Sequence, residues 1–280
     1  MEAILVPTDF SATAQNAAVY ALQLAEQIGV KKIVLYHSYE IPVTIDPMAP
    51  GIQMLDMESL KEDSAKGLII FKEGLISFAK GILIDTISEY GALSEGLDEV
   101  CNRTHAGLVV MGITGGNALE EKLIGSNAIS VAKHTKIPVI IVPAKTGFTR
   151  VEEIMLTSDF DKADTTIPVE LVRNIIAETK AKLFVFNIEE EVDEYAVKYP
   201  SNVIGESYAI HTLLQDMNPE YHFSKNTDYI EAVNDFALEY KIDLIISIPK
   251  KHGFFERLFS ASHTKQLAFH SHVPVMVIHG

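Results

Sequence analysis

Apolar residues recur along the chain with two distinct periods. Unbroken apolar runs stand at 3–7 (AILVP), 32–37 (KIVLYH), 81–88 (GILIDTIS), 107–113 (GLVVMGI) and 137–143 (IPVIIVP). Between them lie longer segments whose apolar positions are spaced three to four residues apart. Runs that are apolar throughout, not on alternate residues, predict strands covered on both faces, and the longer period predicts helices. The first helix is expected over ATAQNAAVYALQLAEQI (12–28), with Ser11 as its N-cap and Gly29 as its stop. A second is expected from roughly Met57 to Lys80, a third within 91–105, and a fourth from Asn127 in NAISVAKHT. Strands joined through helices make a parallel sheet sandwiched between helical layers. Five such strands fit the doubly wound order 3-2-1-4-5. That order puts strands 1 and 4 side by side at the switch point, where ligands bind beyond the carboxyl ends.

The pattern then repeats. EAILVPTDFS (2–11) returns as EEIMLTSDFD (152–161), so Asp9 corresponds to Asp159. A constant offset of 136 residues relates Gly112 to Ile248, Ser126 to Ser262 and Pro138 to Pro274. A gapless match of this length predicts a tandem duplication. The expected domains are 1–144 and 151–280, joined by AKTGFTR (144–150), each a doubly wound five-stranded parallel sheet.

Composition narrows the function. The chain has 280 residues, 48% hydrophobic and 22% charged, as a folded soluble protein does. A net charge of -15 with no run of Lys or Arg argues against a nucleic-acid partner. The single cysteine, Cys101, excludes an internal disulfide framework and reads as a buried structural thiol. No apolar run reaches the ~18–20 residues of a membrane span, and the N-terminus enters a strand without a leader pattern. The expectation is a cytoplasmic protein with no membrane partner.

The densest chemistry lies in GITGGNALEEKLIGS (112–126). Four of the chain's 16 glycines, Gly112, Gly115, Gly116 and Gly125, fall here between a strand and a helix start. Glycines let backbone amides wrap an anion, and Ser126 stands where a helix N-terminus leaves N–H groups free. Asp9 ends strand 1, next to strand 4. A carboxylate repels phosphates, so Asp9 suits ribose hydroxyls, the base or a metal ion. The combination describes a nucleotide site. A tight loop with Ser126 as a plain N-cap accommodates the same residues. Neither the G-x-x-x-x-G-K-[ST] nor the G-x-G-x-x-G phosphate motif occurs.

Gly112-x-x-Gly115, nine residues, then Gly125-Ser126 resembles the ATP-binding signature of the universal stress protein family, G-x2-G-x9-G-[ST]. VPTDFS, KIVLYHSYE and IPVIIVP are similar to that family's first, second and last strands, and the likeness spans both halves. It implies a fold of the adenine nucleotide alpha hydrolase-like type and ATP as ligand, with magnesium as an optional companion. Pro7, Thr8 and Asp9 would line the adenosine side. Ser38 would stand where the family often has an aliphatic residue against the adenine. Met111 and Gly112 would flank the nucleotide, and Gly115, Gly116, Gly125, Ser126 and Asn127 would hold the phosphates. The resemblance also implies dimerisation through the last strand. IPVIIVP and VPVMVIH (273–279) are both apolar edges, so an intramolecular pseudo-dimer is expected, with a homodimer of the whole chain left open.

The second half departs from the signature at Ile248, Lys251 and Ala261, while Asp159 and Ser262 remain. It reads as a degenerate copy, although Lys250 and Lys251 could still attract an anion. The histidines 252, 263, 270, 272 and 279 lack carboxylate or cysteine partners at ligand spacing, so no metal site is expected. The acidic run 187–195 reads as solvated, and 39–57 as a flap or a surface excursion. No catalytic residue is identified, since Lys122 is the only cation in the loop and nothing beside it reads as a base. The resemblance implies a nucleotide-binding stress-response or regulatory module. The alternatives are a slow ATPase or adenylyl-transferring enzyme of the same fold, and a purely structural dimerisation protein.

Overall fold

The computed structural model of the chain describes residues 1–40, 57–113, 126–157, 167–188, 206–224, 228–248 and 273–279. The first half contributes strands β1 (Ala3–Pro7), β2 (Lys32–Tyr39), β3 (Leu83–Tyr90), β4 (Ala106–Ile113) and β5 (Val139–Pro143). Its helices are α1 (Ala12–Ile28), α2 (Met57–Glu73), α3 (Leu93–Thr104) and α4 (Ser126–His134). The second half contributes β6 (Glu153–Thr157), β7 (Lys182–Ile188), β8 (Glu220–Ser224), β9 (Leu244–Ser247) and β10 (Val275–Val277). With them come α5 (Val169–Thr179), α6 (Glu206–Leu214) and α7 (Tyr229–Glu239).

Local chemistry sets the ends of these elements. The Ser11 hydroxyl accepts from the Ala14 amide, and Gly29 takes a left-handed φ of 78°, so α1 begins and stops as its sequence predicts. Helix α2 is shorter than the expected span to Lys80. After Glu73 the ladder tightens, with the Leu75 amide reaching back to Lys72, and a 3₁₀ turn follows over Ile76–Phe78. Leu75 is fully buried and draws the chain inward before the helix can continue.

The strands form one ten-stranded sheet in the order β3-β2-β1-β4-β5-β10-β9-β6-β7-β8. Each half thus has the doubly wound order, and every pairing is parallel except β5 with β10. There Ile140 faces Met276, its own counterpart under the 136-residue offset. The junction is therefore self-complementary, like the two-fold contact of a homodimer. Two apolar layers flank the sheet. One gathers α1, α2, α5 and α6, and the other α3, α4 and α7.

The segment joining the halves is tied to both. The Asn16 amide donates to the carbonyl of Thr146 at 2.8 Å. Gln27 bonds Val151 twice, donating to its carbonyl at 2.8 Å and accepting from its amide at 2.9 Å. The Asp243 carboxylate accepts from the amides of Glu152 and Glu153 and from the Thr149 hydroxyl. Phe148 packs edge-on against Tyr20, with ring centroids 5.1 Å apart.

Candidate functional site

Strands β2, β1 and β4 are neighbours, so their carboxyl ends bring together residues far apart in sequence. Pro7 lies opposite Tyr36, and Leu5 opposite Val109. Pro7 and Thr8 are buried, while Asp9 is exposed. Met111 is buried on the α3 and α4 side of the sheet, and Gly112 follows it on the side of α1. Helix α4 begins at Ser126, one residue before its expected start, and Asn127 is exposed in its first turn. Gly115, Gly116 and Gly125 lie outside the described residues, as do Asp159, Ser262, Lys250, Lys251, Ala261 and the segment 41–56. So do residues 189–195 of the acidic run and the histidines 252, 263, 270 and 272.

Ser38 and Asn127 line a common cavity of about 180 Å³ with Glu40, Ala92, Leu93, Ser94 and Ser130. Three hydroxyls, one amide and one carboxylate face it, so its walls suit a polar, hydrogen-bonding group. Alternation along β2 explains the placement. Val34 and Tyr36 point into the α3 and α4 layer and Ser38 continues that row, whereas Ile33 and Leu35 point into the α1 and α2 layer.

The turn carrying Asp9 is held at several points. The Thr8 amide donates to the Tyr36 carbonyl at 2.8 Å, extending the β1–β2 ladder by one residue. The Thr8 hydroxyl accepts from the Phe10 amide, and Asp9 Oδ1 accepts from the Ser11 amide, each at 3.0 Å. His37 donates from Nδ1 to the Thr8 carbonyl at 2.7 Å. Phe10 has a φ of 65°. A left-handed backbone costs an L-residue roughly 1–2 kcal/mol, so its neighbours must hold it there.

Gly112 has a reason of its own. A Cβ there would lie 2.5 Å from the Thr13 carbonyl oxygen, so the glycine is what lets α1 begin against β4. In the second half Ile248 stands at the corresponding position, buried in the layer that holds Ile167 and Val172. The 150-residue offset that relates β1 and β2 to β6 and β7 places the counterpart of Ala12 at 162, whereas α5 begins at Val169. The same offset puts Asn187 in the place of His37 and Thr157 in that of Pro7.

Other expected features find their places. Cys101 is fully buried, and burial pushes its thiol up to about 12. His279 reaches across the β5–β10 junction to bond the Ala132 carbonyl at 2.7 Å. Among the described residues no group of three His, Cys, Asp or Glu side chains is placed to hold a metal, and no helix is long and apolar enough to cross a membrane. Phe10, His37 and Gly67 belong to no motif in the sequence. Their one mark in the sequence is the Phe that follows the Asp in both halves.

Comparison with known proteins agrees with this architecture. The sequence profile of the universal stress protein family matches residues 1–143 and 170–279. A universal stress protein of Methanocaldococcus jannaschii is 30% identical over 139 residues, which is 50% of this chain and 80% of that protein. The structure of a universal stress protein from Archaeoglobus fulgidus superposes with a TM-score of 0.70 at 16% identity, covering 99% of this chain and 98% of the other. A functionally unknown protein of Pseudomonas aeruginosa superposes at 0.53 and 13% identity, over 99% and 92% of the two chains.

Proposed function

The chain belongs to the universal stress protein family, and on that premise we propose that it is an adenine-nucleotide-binding regulatory module whose first half, residues 1–144, holds ATP. The observation that carries this reading is the convergence of Pro7–Asp9, Ser38, Met111–Gly112 and Ser126–Asn127 at the carboxyl ends of β1, β2 and β4 and the start of α4. Two of those positions, Gly112 near the end of β4 and Ser126 at the start of α4, are the first and last residues of the glycine signature. Among the described residues Asp9 keeps one carboxylate oxygen beyond its bond to Ser11, which suits a ribose hydroxyl. The cavity beside Ser38 and Asn127, at about 180 Å³, is below the ~300–1,000 Å³ of a whole-ligand pocket. It fits one ring of a nucleoside, and the phosphates fall to the glycine-bearing residues 112–126. The helix dipole and free amides at the start of α4 favour their charge.

In this reading the second half, residues 151–280, is a scaffold that covers the β5 edge. Ile248 fills core where Gly112 leaves space for α1, which removes the anchor of the signature. The test is calorimetric titration of ATP into the purified chain and its variants. Gly115→Val and Gly125→Val place branched side chains where phosphates approach, and each is expected to weaken ATP by at least ~1.4 kcal/mol, a factor of ten. Unchanged affinity in both variants sinks the assignment.

A further inference from the structure

We propose that Phe10, His37 and Gly67 form a latch that positions Asp9 for its ligand. The inference rests on the nucleotide-binding reading above and extends it to residues outside the family signature. Asp9 is exposed, and its side chain is tethered only by the Ser11 amide among the described residues. Its direction is therefore set by the backbone on either side. On one side the Thr8 carbonyl is fixed by His37 Nδ1 at 2.7 Å. On the other, Phe10 has a φ of 65°, a conformation a bulky residue keeps only where its surroundings enforce it.

Those surroundings belong to two other elements. The Phe10 ring lies 4.4 Å from the His37 ring and 6.0 Å from that of Phe71, centroid to centroid. Beneath it is Gly67 in the middle of α2, where a Cβ would come within 2.8 Å of the ring. Glycine disfavours a helix interior, and here it clears the seat of an aromatic ring. His37 acts twice, donating to the residue before Asp9 and packing against the residue after it. If the ring left its seat, only the local bonds from the Phe10 amide to the Thr8 hydroxyl and from the Ser11 amide to Asp9 would oppose relaxation of the positive φ, and the Asp9 carboxylate would turn with the backbone.

The experiment measures ATP and adenosine affinities by calorimetry on the full chain and on Gly67→Leu, His37→Ala and His37→Asn. Leucine is a good helix former, so Gly67→Leu spares α2 while its side chain takes the ring's seat. Because Asp9 serves the nucleoside and not the phosphates, Gly67→Leu and His37→Ala are each expected to weaken ATP and adenosine by the same factor, at least about tenfold. In His37→Asn the amide nitrogen takes the place of Nδ1, and affinity recovers towards that of the unaltered chain. A purely structural role gives neither the equal loss nor the recovery. Unchanged affinities in Gly67→Leu and His37→Ala, with ATP bound by the unaltered chain, overturn the latch alone. Weakened ATP with unchanged adenosine traces the effect to the phosphate loop and also overturns it. An unaltered chain that binds neither ligand overturns the nucleotide reading, and the latch with it.

Discussion

A Cβ added at Gly112 would meet the Thr13 carbonyl oxygen at 2.5 Å, its Cγ2 at 2.7 Å and its carbonyl carbon at 2.9 Å. Two of these atoms are backbone in the first turn of a helix whose inner face is buried, so neither side has room to retreat. Gly112→Ala is expected to cost about 1–3 kcal/mol, the range of overpacked cores, read as a lower denaturant midpoint. That separates Gly112 from Gly115, where the effect expected is on ATP affinity. A second prediction concerns His222, whose ring lies among Phe236 at 4.9 Å, Tyr240 at 4.7 Å and Phe184 at 5.7 Å. Burial lowers its pKa, and this outweighs the opposing pull of Glu220 3.9 Å away. The unfolded chain then takes up the proton first as pH falls. Above the ordinary value near 6.5 the group contributes nothing, and stability drops as pH falls from there towards the folded value. In His222→Phe the unfolding midpoint should lose this part of its fall between about pH 7.5 and pH 5.

At the scale of elements, Gln27 shows how α1 of the first half holds the start of the second. Val151 is fully buried, and both of its backbone groups are bonded to the Gln27 amide. Gln27→Ala leaves a buried donor and a buried acceptor without those partners, an expected loss of about 1–3 kcal/mol in equilibrium unfolding. Neither Gln27 nor the bonds it makes could be read from the sequence, because its partner lies 124 residues away. What is local was legible. Unbroken apolar runs marked the strands of the first half, Ser11 and Gly29 marked the ends of α1, and the repeat of the pattern marked the second set of five strands. The end of α2 was not, because buried Leu75 decides it and the helical period continues past Glu73. Within the candidate site, glycine spacing and Asp9 stood out. The seat of Phe10 did not, since a lone glycine in a helix and a histidine in a strand gain meaning only when α2 lies over β2. The clash between Gly112 and Thr13 was hidden in the same way, by a contact between a helix start and a strand end 99 residues on.

The whole molecule is one sheet whose two halves meet at their apolar last strands. Each half alone would leave such a strand bare, an open template for association. Residues 1–146 expressed alone are therefore expected to aggregate or self-associate, as sedimentation would show. A soluble monomer with full ATP affinity would mean that the partner half is not needed to cover β5. In the proposed reading the same asymmetry sets ligand binding, with Gly112 and Pro7 in one half answered by Ile248 and Thr157 in the other. A molecule so divided should hold one nucleotide. Calorimetric titration of the nucleotide-free chain with ATP tests this most directly. The predicted result is one site per chain, lost in Gly115→Val. Two equivalent sites, or a single site that survives Gly115→Val unchanged, would contradict it.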